Sequence, residues 1–299
     1  MLTKAQIAEY DERGYIVLPE LVSREDVAAL QAATARLVEE SRAVTANEPR
    51  FDLEPTHSAA HPALRRIKTP HLWDPIYARM ARHPKIVEAL ADLWGGNVRG
   101  DTGKLNLKTA GVGSPVEWHQ DWAFYPHTND DLAAVGIMID AFTADNGPML
   151  VVPGSHRGPV YDHHEDGVFI GAIDVARTGC DVSGAVPLIA PAGSVSIHHA
   201  RLLHGSGANT SGAERRFLLN QYRAADAFPL MGMRVGFAEF EALMVAGQST
   251  LTPRMRDVPV RLPLPAREGL TTIYEMQDHA RSKYFASAAP AKREPELAR

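Results

Sequence analysis

The sequence predicts an α+β fold in which helices pack on a β-sandwich or barrel. Three observations predict it. Helical periodicity is concentrated before residue 97. After that point come short strand-like segments separated by Gly, Pro, Asn and Asp clusters. The 299 residues are 45% hydrophobic and 22% charged, a composition able to bury one large core.

Taken in order, Thr3 is placed to cap a helix over 3–13 that stops at Gly14. "YIVLPELV" follows as a strand and its exit. In "SREDVAALQAATARLVEESRAV", Ser23 is the cap and Asp26 sits three residues later. Val27, Leu30, Leu37 and Val38 recur there at helical spacing. Residues 45–66 hold prolines and histidines without periodicity and are expected to be a loop. "DPIYARMARHPKIVEALADLWGG" reads as two short helices broken near Pro84 and closed by Gly95 and Gly96. The expected strands beyond residue 97 are "KLNLK", "AVGIMIDAF", "MLVVPGSH", "AVPLIA", "GSVSIHHA" and "RRFLLNQYRA". The expected organisation is one domain over 1–285, with a helical part over about 1–96 and a β core over about 97–225. A lid or interface segment follows over about 226–285, and the Ala/Pro/charge-rich 286–299 forms a flexible tail.

A net charge of -5 and a pI near 6.2 argue against a nucleic-acid partner, which calls for a basic footprint. One cysteine, Cys180, forms no intramolecular disulfide. The start of the chain lacks a signal-peptide apolar region, and no apolar run approaches a membrane span. The expectation is a cytoplasmic protein with no membrane partner.

"VEWHQDWAFYPH" places His119 and Asp121 two apart, on one face of a strand. An imidazole and a carboxylate there supply two ligands for a divalent metal. Two histidines and one carboxylate on one side of an octahedron leave three positions open, the arrangement of non-haem Fe(II) oxygenases. His-x-Asp alone also fits a polar surface strand. Downstream, "SVSIHHARLLHGSGANTSGAERRFLLNQY" adds His204, Ser206 and Arg215 in a defined order, and the compound series is specific.

At these residues the chain resembles the phytanoyl-CoA dioxygenase family of Fe(II)/2-oxoglutarate-dependent oxygenases. "HQDWAFYPHT", "DNGPMLVVPGSH", "LLHGSGANTSGAERR" and the opening "YDERGYIVLPELVSREDVAALQ" carry the likeness, over roughly residues 5 to 225. The resemblance implies a double-stranded β-helix, a cupin-like jelly-roll barrel. It implies His119, Asp121 and His204 as iron ligands, with Arg215 and Ser206 on the distal carboxylate of 2-oxoglutarate, which suits a guanidinium fork. Lys68, Lys104 and Gln120 match cosubstrate-contacting positions. The implied reaction consumes O2, decarboxylates 2-oxoglutarate to succinate and CO2, and hydroxylates an unactivated C–H bond of a small molecule. Asp121 argues against halogenation, because family halogenases lack that carboxylate. Two positions depart from the family: Ile137 replaces a tryptophan and Ser194 an acidic residue.

Several alternatives stay open on the sequence. A register slip would exchange Arg215 for Arg216. His198 and His199 compete with His204, but lack its Gly-Ser and spaced Arg and read as supporting or surface residues. "HHEDG" (163–167) reads as a solvated or substrate-side loop. Trp122, Phe124 and Tyr125 divide between core and substrate-pocket wall. Residues 45–66, 157–185 and 226–250 are the candidate substrate loops. The apolar 227–244 either covers a small molecule or forms a homodimer contact. A metal-dependent hydrolase and a non-catalytic jelly-roll binding protein are the competing functional classes.

Overall fold

The two faces of each long strand are both buried here, one under helices and one inside a barrel. The computed structural model describes residues 1–233, 235–270 and 272–285, so the expected tail 286–299 lies outside the described residues. The chain begins α1 (Lys4–Arg13), β1 (Tyr15–Leu18), α2 (Arg24–Glu40), β2 (Phe51–Leu53), β3 (Leu64–Lys68), α3 (Pro75–Met80) and α4 (Pro84–Trp94). It continues through β4 (Val98–Lys108), β5 (Val116–His119), β6 (Leu132–Met138), β7 (Leu150–Val151), β8 (His164–Glu165) and β9 (Val168–Phe169). There follow α5 (Val175–Thr178), β10 (Val186–Pro187), β11 (Val195–His199), β12 (His204–Ser206) and β13 (Arg215–Ala224). The described part closes with α6 (Phe237–Ala242), β14 (Met244–Ala246) and α7 (Ile273–Gln277).

The helix boundaries follow the caps. Thr3 and Gln6 form a capping box on α1, which ends at left-handed Gly14. Ser23 accepts from the Asp26 amide to start α2. Pro84 opens α4 and left-handed Gly95 ends it.

The larger antiparallel sheet has the order β1-β11-β6-β13-β4-β3-β2, with β14 beside the start of β4. The smaller has the order β10-β7-β12-β5. Together they form the jelly roll. On the outer face of the larger sheet, Leu105, Val135, Ile137, Ile197 and Leu218 meet Leu30, Leu37, Ile86 and Leu90 of the helices. Each such fully buried aliphatic side chain stabilises the layer by about 2 kcal/mol. Between the sheets lies a second core containing Met138, Phe142, Met149, Val151, Leu202 and Phe217. Gly136 is required there, because a Cβ would stand 2.0 Å from the Phe217 ring.

Residues 45–66 are the expected loop only in part, because two short strands interrupt them. β2 and β3 pair with each other, and β3 with β4, extending the large sheet. Periodicity fails as a guide because "LRRIK" puts charged side chains on both faces. Arg65 is held by Glu54 and Asp278, and Arg66 faces the barrel interior. β4 repeats the pattern: Leu105 and Leu107 pack under the helices, whereas Lys104, Asn106 and Lys108 point inward.

Candidate active site

The register of the smaller sheet sets His119, at the end of β5, directly opposite His204, at the start of β12. Their ring centroids are 4.0 Å apart. Past β5 the chain turns through a short helical turn, Asp121–Ala123, which brings Asp121 back beside them. The candidate ligand atoms of the three residues lie within 4.8 Å of one another. Each histidine is oriented by a backbone carbonyl two residues earlier. His119 Nδ1 donates to Glu117 O at 2.8 Å and His204 Nδ1 to Leu202 O at 2.9 Å, which leaves both Nε2 atoms free to ligate.

Electrostatics prepare the same set. Burial holds the His119 imidazole well below its usual range and pushes His204 down to about 4, so both are neutral at physiological pH. Burial alone would raise Asp121. The Lys104 ammonium and the neighbouring His198 imidazole outweigh it and keep the carboxyl well below the ordinary range. His198 Nε2 lies 3.7 Å from Asp121 Oδ2. Two neutral imidazoles and one ionised carboxylate fit a divalent ion with open coordination positions.

The triad opens on a cavity of about 510 Å³ that also contains Arg66, Lys104, Asn106, Ser206 and Arg215. Arg215 is buried, its guanidinium 5.1 Å from the Phe142 ring centre, and its Nε has no hydrogen-bond partner. Burial pushes it down to about 10, so it remains charged. Arg216 points the other way and clasps Asp140 with Nε and Nη2 at 2.7 and 2.5 Å. Strand alternation thus places Arg215, not Arg216, in the cavity.

Three expected site residues lie elsewhere. Gln120 alternates to the opposite side, where its amide donates to Pro159 O and Arg201 O and accepts from the Tyr161 amide. The Lys68 ammonium donates to Glu48 O at the strand end, outside the cavity lining. Trp122 is core, packed with Leu132, Ala200 and Ala227 and donating to Pro259 O. Phe124 and Tyr125 do form a wall, in the adjoining cleft with Met231, Met233 and Leu243. His163 is buried rather than solvated, and its Nε2 accepts the Gln120 amide at 2.9 Å. Ile137 lies in the helix-side core, so that departure from the family does not reach the cavity.

Sequence reasoning missed Arg66, Asn106 and Tyr274. Arg66 donates to Asn106 Oδ1 at 3.0 Å, and its guanidinium lies 5.2 Å from the Tyr274 ring centre. Alternation on β4 could have found Asn106. Nothing local marks Tyr274, which α7 brings back from the chain's end.

A jelly roll presenting two histidines and one carboxylate at its mouth defines the class of mononuclear non-haem metal oxygenases. A family model described as Phytanoyl-CoA dioxygenase (PhyH) matches residues 10–217, and the chain belongs to that family. It is 39% identical over 284 residues to a probable alpha-ketoglutarate-dependent hypophosphite dioxygenase of Stutzerimonas stutzeri, covering 94% of this chain and 99% of that one. Identity to an L-proline trans-4-hydroxylase of Streptomyces griseoviridis is 30%, over 76% of this chain and 89% of the relative. Among solved structures, the non-heme alpha ketoglutarate dependent carbocyclase SnoK from nogalamycin biosynthesis aligns with a TM-score of 0.62 at 25% identity, covering 80% of this chain and 90% of that one. EctD from S. alaskensis with bound Fe shares the fold, with a TM-score of 0.63 at 24% identity and coverage of 85% and 88%. The chain is an Fe(II)- and 2-oxoglutarate-dependent dioxygenase, which sets aside the hydrolase and the non-catalytic binding protein. No helix among the described residues is long and apolar enough to cross a membrane.

Proposed function

We propose that His119, Asp121 and His204 hold the iron, that Arg215 and Ser206 hold the distal carboxylate of 2-oxoglutarate, and that the substrate is a small oxyanion, hypophosphite first. The observation that carries this reading is the cavity's composition: the triad shares it with Arg66, Lys104 and Arg215, against Asp121 as the lone carboxylate. The hypophosphite dioxygenase relative, aligned over 99% of its length, supports the substrate. When bound, iron and 2-oxoglutarate supply the oxidising power of O2 as 2-oxoglutarate is cleaved to succinate and CO2. In the balanced reaction one P–H bond of hypophosphite becomes P–OH, giving phosphite; the second oxygen atom leaves in succinate.

The chain's residues bind, orient and exclude water. Glu117 O and Leu202 O fix the two imidazoles, and His198 lies against Asp121. Arg215, desolvated against Phe142, offers a two-pronged donor to a carboxylate. The apolar side chains Val116, Met149, Phe217 and Ile273 keep that end of the cavity dry.

A second reading keeps the C–H bond, with hydroxylation of a small amino acid, and is favoured by the proline hydroxylase relative. Either reading takes a free small molecule and a cytoplasmic enzyme. The deciding experiment supplies the purified chain with Fe(II), 2-oxoglutarate and either hypophosphite or L-proline under air, and quantifies succinate and oxidised product. Hypophosphite-dependent succinate with equimolar phosphite is expected. Stimulation by proline instead would select the second reading, and no 2-oxoglutarate binding at all would refute both.

A further inference from the structure

The charges around the cavity do not balance once the proposed occupants are counted. A divalent metal, Asp121 and the keto-acid carboxylate sum to zero, as do Arg215 and the distal carboxylate. Arg66 faces Asp52 across the β2–β3 pair, donates to Asn106 and stacks on Tyr274. Lys108, the other inward lysine of β4, is held by the Ser206 and Gly207 carbonyls. Lys104 makes no hydrogen bond, and no ion pair within 4.0 Å, among the described residues.

Bonding separates Lys104 from Arg66, whose guanidinium donates to Asn106 and lies 5.2 Å from the Tyr274 ring centre on α7. Lys104 lines the cavity together with His119, Asp121 and His204, and its charge helps to hold the Asp121 carboxyl low. Its cross-strand neighbours are Leu219 on β13 and Lys68 on β3, neither of which offers it a counter-charge. An ammonium left half-buried and unpaired beside a charge-neutral metal centre costs stability unless an anion docks on it.

We infer that Lys104 is the substrate-binding and specificity-determining residue, receiving the oxyanion of a small phosphorus acid and holding its P–H bond toward the open metal positions. This rests on the oxygenase reading above and deepens it. Phe124, edge-on to His119 at 5.9 Å, restricts the space beside the metal ligands to a small substrate.

The test compares wild type with Lys104→Gln, Lys104→Met and Lys104→Arg. It measures KM and kcat for hypophosphite, 2-oxoglutarate affinity from the visible charge-transfer band of its Fe(II) chelate, and inhibition by phosphite. Loss of a desolvated charge pair predicts a hypophosphite KM raised roughly 100-fold in Lys104→Gln. Lys104→Arg should recover part of it, 2-oxoglutarate affinity should stay within about threefold, and phosphite inhibition should weaken in parallel. Lys104→Met, of similar volume, should melt no lower than wild type, which separates lost binding from lost fold. A drop in 2-oxoglutarate affinity with an unchanged hypophosphite KM would overturn the assignment and make Lys104 a cosubstrate residue. Wild type that chelates 2-oxoglutarate but ignores hypophosphite and phosphite would refute the anion site while leaving the oxygenase reading standing. Wild type that does not chelate it would fail the oxygenase reading itself.

Discussion

Arg215→Met should separate binding from stability. In the free protein Arg215 is buried without a carboxylate within 4.0 Å among the described residues, and its Nε is unsatisfied. Burial lowers its pKa from the ordinary guanidinium range to about 10. At about 1.36 kcal/mol per pH unit, holding that charge costs the unliganded protein on the order of 3 kcal/mol. A bound carboxylate would offset this. Methionine fills similar space among Phe142 and Phe217 without the charge, so the free variant should melt at or above the wild-type temperature. Its 2-oxoglutarate affinity should fall by about 3 kcal/mol, roughly 150-fold. Isothermal titration with 2-oxoglutarate and Fe(II) under nitrogen reads the first quantity, and calorimetric melting of the metal-free chain the second. Arg216→Ala is the control. It breaks the Asp140 clasp, should cost about 1–2 kcal/mol of stability, and should leave 2-oxoglutarate affinity alone. A 2-oxoglutarate affinity within threefold of wild type in Arg215→Met would refute the reasoning, as would a melting temperature lowered as far as in Arg216→Ala.

Other outcomes follow from the same structure. His204→Ala should lower Fe(II) affinity at least ~100-fold, beyond the loss caused by removing an outer hydrogen-bond partner, as measured by bound iron after desalting. Wild-type iron content in a folded variant would remove His204 from the ligand set. Gly136→Ala drives a methyl into Phe217 and should destabilise by about 2–3 kcal/mol in denaturant titration; a neutral effect would contradict the interior packing. Acid should weaken the fold through His127 and His163, both lowered by burial to about 4. Between pH 6.5 and about 4 the unfolded chain binds more protons than the folded one, so stability is full above 6.5 and lost as pH falls through that window. The loss is on the order of 3 kcal/mol per histidine, and a melting temperature flat between pH 6.5 and 4.5 would contradict it.

Much of the site was legible because its chemistry is local. His119 and Asp121 stand two apart, and the series His204, Ser206, Arg215 occupies a strand, a turn and the next strand. The order of residues sufficed there. Parity holds through Gln120, still extended and turned away from the ligands, and stops at Asp121, where the backbone enters a helical turn that leaves Trp122 in the core. β3 was invisible for a functional reason, since the cation facing the cavity replaces the apolar residue a pattern search needs. "KLNLK" showed a strand, but not which face looks inward. In a barrel wrapped by helices the apolar face is the outer one, and that inversion hid Asn106. Tyr274 depends on a long return of the chain that no nearby residue announces.

The closing of the barrel by α7 has a kinetic meaning. Ile273 lines the cavity that holds Arg215, and the Tyr274 ring beside it lies under the guanidiniums of Arg65 and Arg66. On the proposed placement of 2-oxoglutarate against Arg215, the substrate would land between the cosubstrate and solvent, like a cork on a filled bottle. Binding should then be ordered, cosubstrate first, with the oxidised product leaving before succinate; product-inhibition kinetics read that order.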